Sequence, residues 1–134
     1  PHTLQPTKEK TVKLTATVLL LLAASFSPAQ ADGDAAKGEK VYLKCKACHD
    51  VDKGENRVGP TLKGLVGRPV ASVEGFKYSE DMLAKGKDGK VWDEATLASY
   101  LPDPKAFAPK TKMVFAGLKK PEEVADLIAF LKTK

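Results

Sequence analysis

Five consecutive residues combine the side chains best suited to bind a metal or a redox cofactor. Cys45-Lys46-Ala47-Cys48-His49 has the spacing C-x-x-C-H and contains both cysteines of the chain. This pattern is the attachment signature of a c-type haem. Two thiols one helical turn apart can each form a thioether with one vinyl group of the same porphyrin. The next residue, His49, is then placed under the iron as its proximal ligand. The motif predicts one covalently attached haem c.

Three other kinds of site use some of the same residues. A thioredoxin-like dithiol also has C-x-x-C, but it normally follows a strand in a βαβ unit, whereas a helix is predicted before Cys45. A zinc site needs about four nitrogen or sulfur ligands, and Cys45, Cys48 and His49 supply three. A plain disulfide would leave the adjacent histidine unexplained. The haem interpretation accounts for all three residues.

The first 31 residues have the three parts of an export signal. Lys8, Lys10 and Lys13 form a basic leader, an apolar run follows from Leu14 to Phe26, and Ala29-Gln30-Ala31 is a small-x-small cleavage site. The run has about 13 residues, fewer than the ~20 that span a bilayer as a helix. The pattern therefore predicts a cleaved signal peptide (1–31), a periplasmic location and a single domain over 32–134.

The sixth position of the iron needs a ligand other than histidine. His2 is lost with the leader, so His49 is the single histidine of residues 32–134. A methionine thioether favours Fe(II) and raises the reduction potential. Met82 lies on the inner side of a predicted helix, where core packing is the simpler role. Met113 lies in an irregular loop, the kind of segment that more often delivers functional side chains. The residues favour Met113 and leave both open.

Capping residues predict four short helices. Asp34 can cap the first, Ser79 the second, which stops at Gly86, and Asp93 the third. Pro121 suits the first position of the last.

Two long segments, 50–75 and 103–120, are rich in glycine and proline and read as loops. Long loops in a small domain need something inside to organise them. The sequence predicts an all-α domain of four or five short helices and long loops wrapped around one haem.

Ordered blocks across residues 33–132 resemble the class I c-type cytochromes, nearest to the cytochrome c2 and mitochondrial cytochrome c group. Besides the haem motif, the blocks are Gly59-Pro60, Gly64-Leu65-Val66-Gly67-Arg68, Gly75-Phe76-Lys77-Tyr78-Ser79, Trp92, Tyr100-Leu101-Pro102-Asp103-Pro104, Thr111-Lys112-Met113-Val114-Phe115-Ala116-Gly117 and Asp126-Leu127-Ile128-Ala129-Phe130-Leu131. The resemblance implies the small cytochrome c fold. It also implies Met113 as the sixth ligand.

The same resemblance implies roles for residues around the haem. The carbonyl of Pro60 accepts from the ring N–H of His49, and the Tyr100 hydroxyl points to the Met113 sulfur. Phe115 covers the haem edge. Five further residues surround the propionates: Arg68, Tyr78, Ser79, Trp92 and Thr111.

Two more features come from the resemblance. Gly38 and Tyr42 pack against Leu127 and Phe130, so that the first and last helices cross. Met82 stands where mitochondrial relatives carry an asparagine, which alters a polar internal network.

An iron with two protein ligands has no open position for a substrate. The expected function is therefore not enzymatic: a soluble, exported, monomeric one-electron carrier that cycles Fe(III)/Fe(II). Its donor would be a membrane or periplasmic protein such as a bc1 complex or a dehydrogenase. Its acceptor would be a terminal oxidase of a respiratory chain or a photosynthetic reaction centre. The alternative is a peroxidase-like or ligand-binding haem protein with a labile methionine ligand.

The charge of the chain bears on its partners. Residues 32–134 carry 19 basic and 16 acidic side chains, too weak an excess to predict nucleic-acid binding. The family resemblance implies a basic ring around the exposed haem edge, which would steer the carrier to acidic redox partners. The matching positions are Lys40, Lys44, Arg57, Lys105, Lys112, Lys119 and Lys120.

Overall fold

A computed structural model describes residues 32–134; the predicted leader, 1–31, lies outside them. Five helices follow one another: α1 (Ala35–Tyr42), α2 (Glu80–Lys87), α3 (Glu94–Tyr100), α4 (Pro104–Phe107) and α5 (Pro121–Leu131). Over this range no helix is both long and apolar enough to cross a bilayer. The predicted all-α architecture is confirmed.

The crossing of α1 and α5 is the main helix–helix contact of the domain. Gly38 lies against the backbone carbonyl of Asp126, and a Cβ at this position would collide with that carbonyl and with the Cβ of Phe130. The rings of Tyr42 and Phe130 pack with centroids 5.4 Å apart. Leu127 is almost fully buried beside them. The expected packing of the first helix on the last is therefore present.

Side-chain caps start three of the helices. The carboxylate of Asp34 accepts from the backbone amides of Ala36 and Lys37, at 2.9 and 3.1 Å. Asp93 accepts from Thr96 N at 2.7 Å. Both caps were predicted, because an aspartate at the N-cap satisfies amides that have no partner inside the helix.

Helix α4 corrects the prediction of an uninterrupted loop over 103–120. Asp103 accepts from the backbone amide of Ala106 at 3.1 Å, and Pro104 occupies the first turn. An aspartate followed by a proline is a local helix-start signal, and a helix of four residues is too short to show an apolar periodicity.

Ser79 corrects a second prediction. It occupies the N-cap position of α2, but its hydroxyl makes no capping bond to the helix backbone. The hydroxyl instead donates to Asp81 Oδ1 at 2.5 Å. The charged Oδ1 of Asp81 also accepts from Met82 N at 3.0 Å, so it takes the third amide of the helix, which a capping Ser79 hydroxyl could have accepted.

The segment 50–75 contains no helix, as predicted. Its end is held to residues 90–92 by an isolated antiparallel bridge between Pro69 and Val91. Hydrogen bonds from Val70 N to Lys90 O and from Trp92 N to Arg68 O, both 2.9 Å, flank the bridge. The bridge fixes one wall of the cavity described next.

Candidate haem site

The helices and loops enclose a largely apolar cavity of about 300 Å³. The twelve residues predicted to hold or surround the haem all line it, although they come from segments far apart in sequence. They are Cys45, Cys48, His49, Pro60, Arg68, Tyr78, Ser79, Trp92, Tyr100, Thr111, Met113 and Phe115. One cavity therefore brings together the thiols, the imidazole and the thioether.

The C-x-x-C-H motif forms a turn directly after α1. The helix ends at Tyr42, so Cys45 lies beyond its last residue. Hydrogen bonds from Cys48 N and His49 N to the carbonyl of Cys45, at 3.1 and 3.0 Å, close one helical turn. Burial raises the pKa of the Cys45 thiol. The two cysteines form no disulfide, and both line the cavity.

The imidazole of His49 is oriented by a backbone carbonyl. Its Nδ1 lies 2.8 Å from the carbonyl oxygen of Pro60. Because a carbonyl only accepts, Nδ1 carries the proton, and Nε2 keeps its lone pair available to a metal. Burial lowers the pKa of His49, which also favours the neutral ring.

Two further contacts hold this histidine. The hydroxyl of Tyr42 donates to the His49 carbonyl at 2.7 Å. Gly59 lies flat against the imidazole, and a Cβ there would overlap the ring. From the sequence, Gly59 had no role beyond its place in the Gly59-Pro60 block. The tertiary contact assigns it one, which is to leave room for the imidazole.

Met113 receives a hydrogen bond from across the cavity. The hydroxyl of Tyr100 lies 3.6 Å from the Met113 sulfur, within the range for a weak thioether acceptor. Burial raises the pKa of Tyr100 to about 12, so the hydroxyl keeps its proton at neutral pH and donates it. The Met113 amide donates to Thr111 Oγ1 at 3.2 Å, which turns the loop toward the cavity.

Met82, the other candidate ligand, is buried and also lines the cavity. No side-chain donor in residues 32–134 reaches its sulfur, in contrast to Met113. It packs in the hydrophobic core, in agreement with the core-filling role predicted for it.

Arg68 supplies a partly buried positive charge at the cavity wall. Its Nη1 and Nη2 donate to the carbonyls of Lys63 and Thr61, at 3.2 and 2.9 Å. Burial lowers its pKa, yet the guanidinium stays charged. Its Nε is buried and makes no hydrogen bond within residues 32–134. A buried N–H without an acceptor fits a site whose missing partner is an anionic group, such as a haem propionate.

The other polar residues predicted near the propionates have protein partners. Tyr78 Oη accepts from Val73 N at 3.1 Å and keeps its own proton free to donate. Ser79 and Thr111 are engaged with Asp81 and Met113 as described. Trp92 is buried, and its ring lies 4.8 Å from that of Tyr100.

The mouth of the cavity is apolar and basic. Val58 and Val114 are exposed apolar side chains that line it. Lys44 and Lys112 also line it, whereas the other five predicted docking residues do not.

Several of the predicted docking cations already have partners. Lys44 pairs with Glu123 at 3.0 Å, and Lys112 Nζ donates to the Lys77 carbonyl at 3.3 Å. Lys119 Nζ donates to the carbonyls of Pro102 and Ala116, at 2.7 and 2.8 Å.

Four predicted docking residues are less constrained. Arg57 makes one weak contact, to the Lys46 carbonyl at 3.2 Å. Lys40, Lys105 and Lys120 have no ion-pair partner among the described residues.

The donor set fits a covalent haem better than the alternatives. One apolar space is lined by two free thiols, an imidazole with Nε2 available, a thioether, and Arg68, whose Nε–H has no acceptor. Within residues 32–134 no three or more His, Cys, Asp or Glu residues are grouped to hold a metal ion. The motif follows a helix, not a strand, which argues against a thioredoxin-like dithiol.

Comparison with known families points the same way. The sequence model of the family described as Cytochrome c matches residues 35–134. The chain is 50% identical over 99 residues to cytochrome c2 of Afifella marina, covering 73% of this chain and 80% of that protein. It is 48% identical over 115 residues to cytochrome c2 of Blastochloris viridis, covering 85% and 87%.

Solved structures agree with the sequence relatives. Cytochrome cH from Methylobacterium extorquens superposes with a TM-score of 0.69 at 48% identity, covering 76% of this chain and all of that one. Cytochrome c2 from Rhodospirillum centenum superposes with a TM-score of 0.71 at 40% identity, covering 75% and 98%. The small fold predicted from the sequence is therefore confirmed.

Proposed function

Because the chain belongs to the cytochrome c family, we propose that it is an exported one-electron carrier whose haem iron is ligated by His49 and Met113. Membership makes it an electron-transfer protein with covalently bound haem c, not an enzyme, and one that acts with redox partners. The haem supplies a one-electron Fe(III)/Fe(II) couple when bound. The choice of ligands, the partners and the export are the parts proposed here.

The observation that carries the ligand assignment is the pairing of two orienting contacts. Pro60 fixes the His49 tautomer so that Nε2 is the free nitrogen, and Tyr100 donates to the Met113 sulfur. Both oriented side chains line the same cavity. With His49 and Met113 both bound to it, the iron would have no position left for a substrate, so the protein would only hold and tune the cofactor.

Residues at the cavity wall would tune the site. The buried Nε–H of Arg68 would donate to a propionate and would stabilise its negative charge. The apolar lining keeps water away, so that little reorganisation accompanies a change of charge. Cys45 and Cys48 would hold the haem by thioethers, which prevents its loss from an exported protein.

The mouth of the cavity suits transient docking of a partner. Exposed Val58 and Val114 offer apolar contact, and basic side chains nearby offer steering. The steering would come from Lys40, Lys105 and Lys120, which have no ion-pair partner in the described chain, more than from Lys44, whose charge is paired with Glu123. The proposed partners are redox proteins with acidic faces, and the carrier would work as a monomer.

The proposed compartment is the periplasm, on the strength of the leader pattern in residues 1–31. The donor would be a bc1 complex or a dehydrogenase, and the acceptor a terminal oxidase or a photosynthetic reaction centre.

The test compares Met113→Leu with its matched control, Met82→Leu, after mass spectrometry has measured one covalently attached haem per chain. The oxidised wild type should show the weak thioether-to-iron band at the red end of its spectrum. Met113→Leu should lose this band and lower the reduction potential, whereas Met82→Leu should keep the band. An apoprotein mass alone would reject the haem. A high-spin wild-type spectrum that changes with added ligands would favour the ligand-binding alternative.

A further inference from the structure

The carboxylate of Asp81 joins helix α2 to the loop that carries Met113. Its Oδ1 accepts from Ser79 Oγ at 2.5 Å and from Met82 N at 3.0 Å. Its Oδ2 accepts from the backbone amide of Lys110 at 2.5 Å, 29 residues away in sequence. One side chain thus uses one oxygen on its own helix and the other on the loop.

The loop relays this contact to Met113 through local hydrogen bonds. Thr111 N donates to the Ala108 carbonyl at 2.9 Å, and Met113 N donates to Thr111 Oγ1 at 3.2 Å. The amide held by Asp81, that of Lys110, lies within the turn that the first of these bonds closes, directly before Thr111. Fixing the position of Lys110 therefore fixes the turn that directs the methionine into the cavity.

The other contacts of this loop segment are weaker. The hydrogen bond from Tyr100 to the Met113 sulfur is 3.6 Å long, and thioether sulfur is a poor acceptor. Lys112 Nζ reaches the Lys77 carbonyl at 3.3 Å on the exposed side. A hydrogen bond to a carboxylate is about twice as strong as one between neutral groups.

We propose that Asp81 is a positioning residue for the sixth iron ligand: its carboxylate holds the backbone at Lys110 and so keeps Met113 within reach of the iron. This inference rests on the proposed ligation by Met113. It assigns to Asp81 a role that its place in the first turn of a helix does not require, because helix α2 needs only the contact to Met82 N.

The charge state of Asp81 supports the assignment. The hydrogen bond from Ser79 lowers its pKa, and the bonds from the Lys110 and Met82 amides lower it further. The group is therefore ionised at neutral pH and able to accept from several donors at once. The neighbouring charges are Glu80 and Lys110 Nζ, which pair with each other at 2.8 Å.

That neighbouring pair provides a matched control. The side chains of Glu80 and Lys110 are 83% and 70% exposed, and such surface pairs contribute little. Glu80→Ala removes a carboxylate from the same helical turn, and a contact to the same residue, without touching the backbone amide. Asp93→Ala removes a helix cap that has no contact with the Met113 loop.

The experiment uses the oxidised holoprotein and two readouts. Urea titration follows the thioether-to-iron band and the far-ultraviolet helix signal in parallel, and hydrogen exchange follows the Lys110 amide. Asp81→Ala should lose the band at a lower urea concentration than the helix signal, with a wider separation than in the wild type. The Lys110 amide should exchange about tenfold faster, as expected when a hydrogen bond to a charged group is lost.

The controls should behave differently. Glu80→Ala should keep the wild-type separation and exchange rate, and Asp93→Ala should shift both urea transitions together. If Asp81→Ala also shifts both together, Asp81 is a general stabiliser and the positioning role is wrong. If the wild type lacks the band, the Met113 assignment fails; the Lys110 exchange rate then still reports whether Asp81 holds the loop.

Discussion

The hydroxyl of Tyr100 lies 3.6 Å from the sulfur of Met113. Through this contact a single oxygen atom can influence the reduction potential of the bound haem. The ring of Tyr100 also packs against Trp92 and Phe107, with centroids 4.8 and 5.2 Å away. The hydroxyl can therefore be deleted without disturbing the aromatic packing.

Tyr100→Phe should lower the reduction potential. A donated hydrogen bond withdraws electron density from the sulfur, so its loss makes Met113 a better donor and stabilises Fe(III). One hydrogen bond of about 1 kcal/mol corresponds to at most ~40 mV for a one-electron couple. A redox titration with optical detection measures the shift. An unchanged or raised potential would contradict this role of Tyr100.

Gly38→Ala should destabilise the domain through the crossing of α1 and α5. Alanine is the better helix former by roughly 1 kcal/mol, but its Cβ would overlap the Asp126 carbonyl, and overpacking costs about 1–3 kcal/mol. We expect the free energy of unfolding to fall by about 2 kcal/mol, because a backbone carbonyl within a helix cannot move aside. Urea denaturation measures it. Lys37→Ala, on the exposed side of the same helix, should change it little.

Association with an acidic redox partner should slow as ionic strength rises. The Debye length shrinks from about 10 Å at 0.1 M salt to about 3 Å at 1 M, which screens the steering. Lys105→Gln and Lys120→Gln should each lower the association rate at low salt and converge with the wild type at high salt. Stopped-flow kinetics measures the rates.

Lys37→Gln is the charge-matched control, since it removes one positive charge outside the predicted patch. An effect as large as that of Lys105→Gln would show that net charge matters and the patch does not. A flat salt response of the wild type would count against steering altogether.

Asp93 should make the stability of α3 depend on pH. The hydrogen bonds that it accepts from Thr96 lower its folded-state pKa below the ordinary 3.8. A depressed carboxyl pKa contributes stability that is present above the unfolded value and is lost as the pH falls through the folded value. Asp93→Asn should therefore lose less stability than the wild type when the pH falls from neutral to well below 3.8. Urea midpoints at several pH values measure this, and parallel curves for the two proteins would be evidence against it.

Local features of the chain allowed much of the site to be predicted. The spacing of Cys45, Cys48 and His49 keeps the three side chains within about one helical turn of one another, because they are near neighbours along the chain. The helix starts at Asp34 and Asp93 could likewise be predicted from the sequence, since a cap acts on amides two or three residues away. Even α4, which the prediction missed, has a local signal in Asp103-Pro104.

The rest depended on contacts between distant segments. Ligand chemistry left Met82 and Met113 both open. The family resemblance implied Met113 and its contact with Tyr100, and the fold shows the Tyr100 hydroxyl 3.6 Å from that sulfur. The hydroxyl of Ser79 turned from a helix cap to Asp81, whose second oxygen is used 29 residues away.

What the sequence determined by itself was the chemistry: a haem-attachment motif, its imidazole, and helix ends set by neighbours a few residues apart. What only the tertiary structure decided was the role of residues whose partners lie in other segments of the chain. Examples are Gly59 against His49, Gly38 against Asp126, and Lys119, whose ammonium donates to the Pro102 carbonyl. The physical reason is the distance along the chain over which each interaction acts. Capping and motif spacing act through a few covalent bonds, whereas steric fit and long-range hydrogen bonds exist only after the chain has folded.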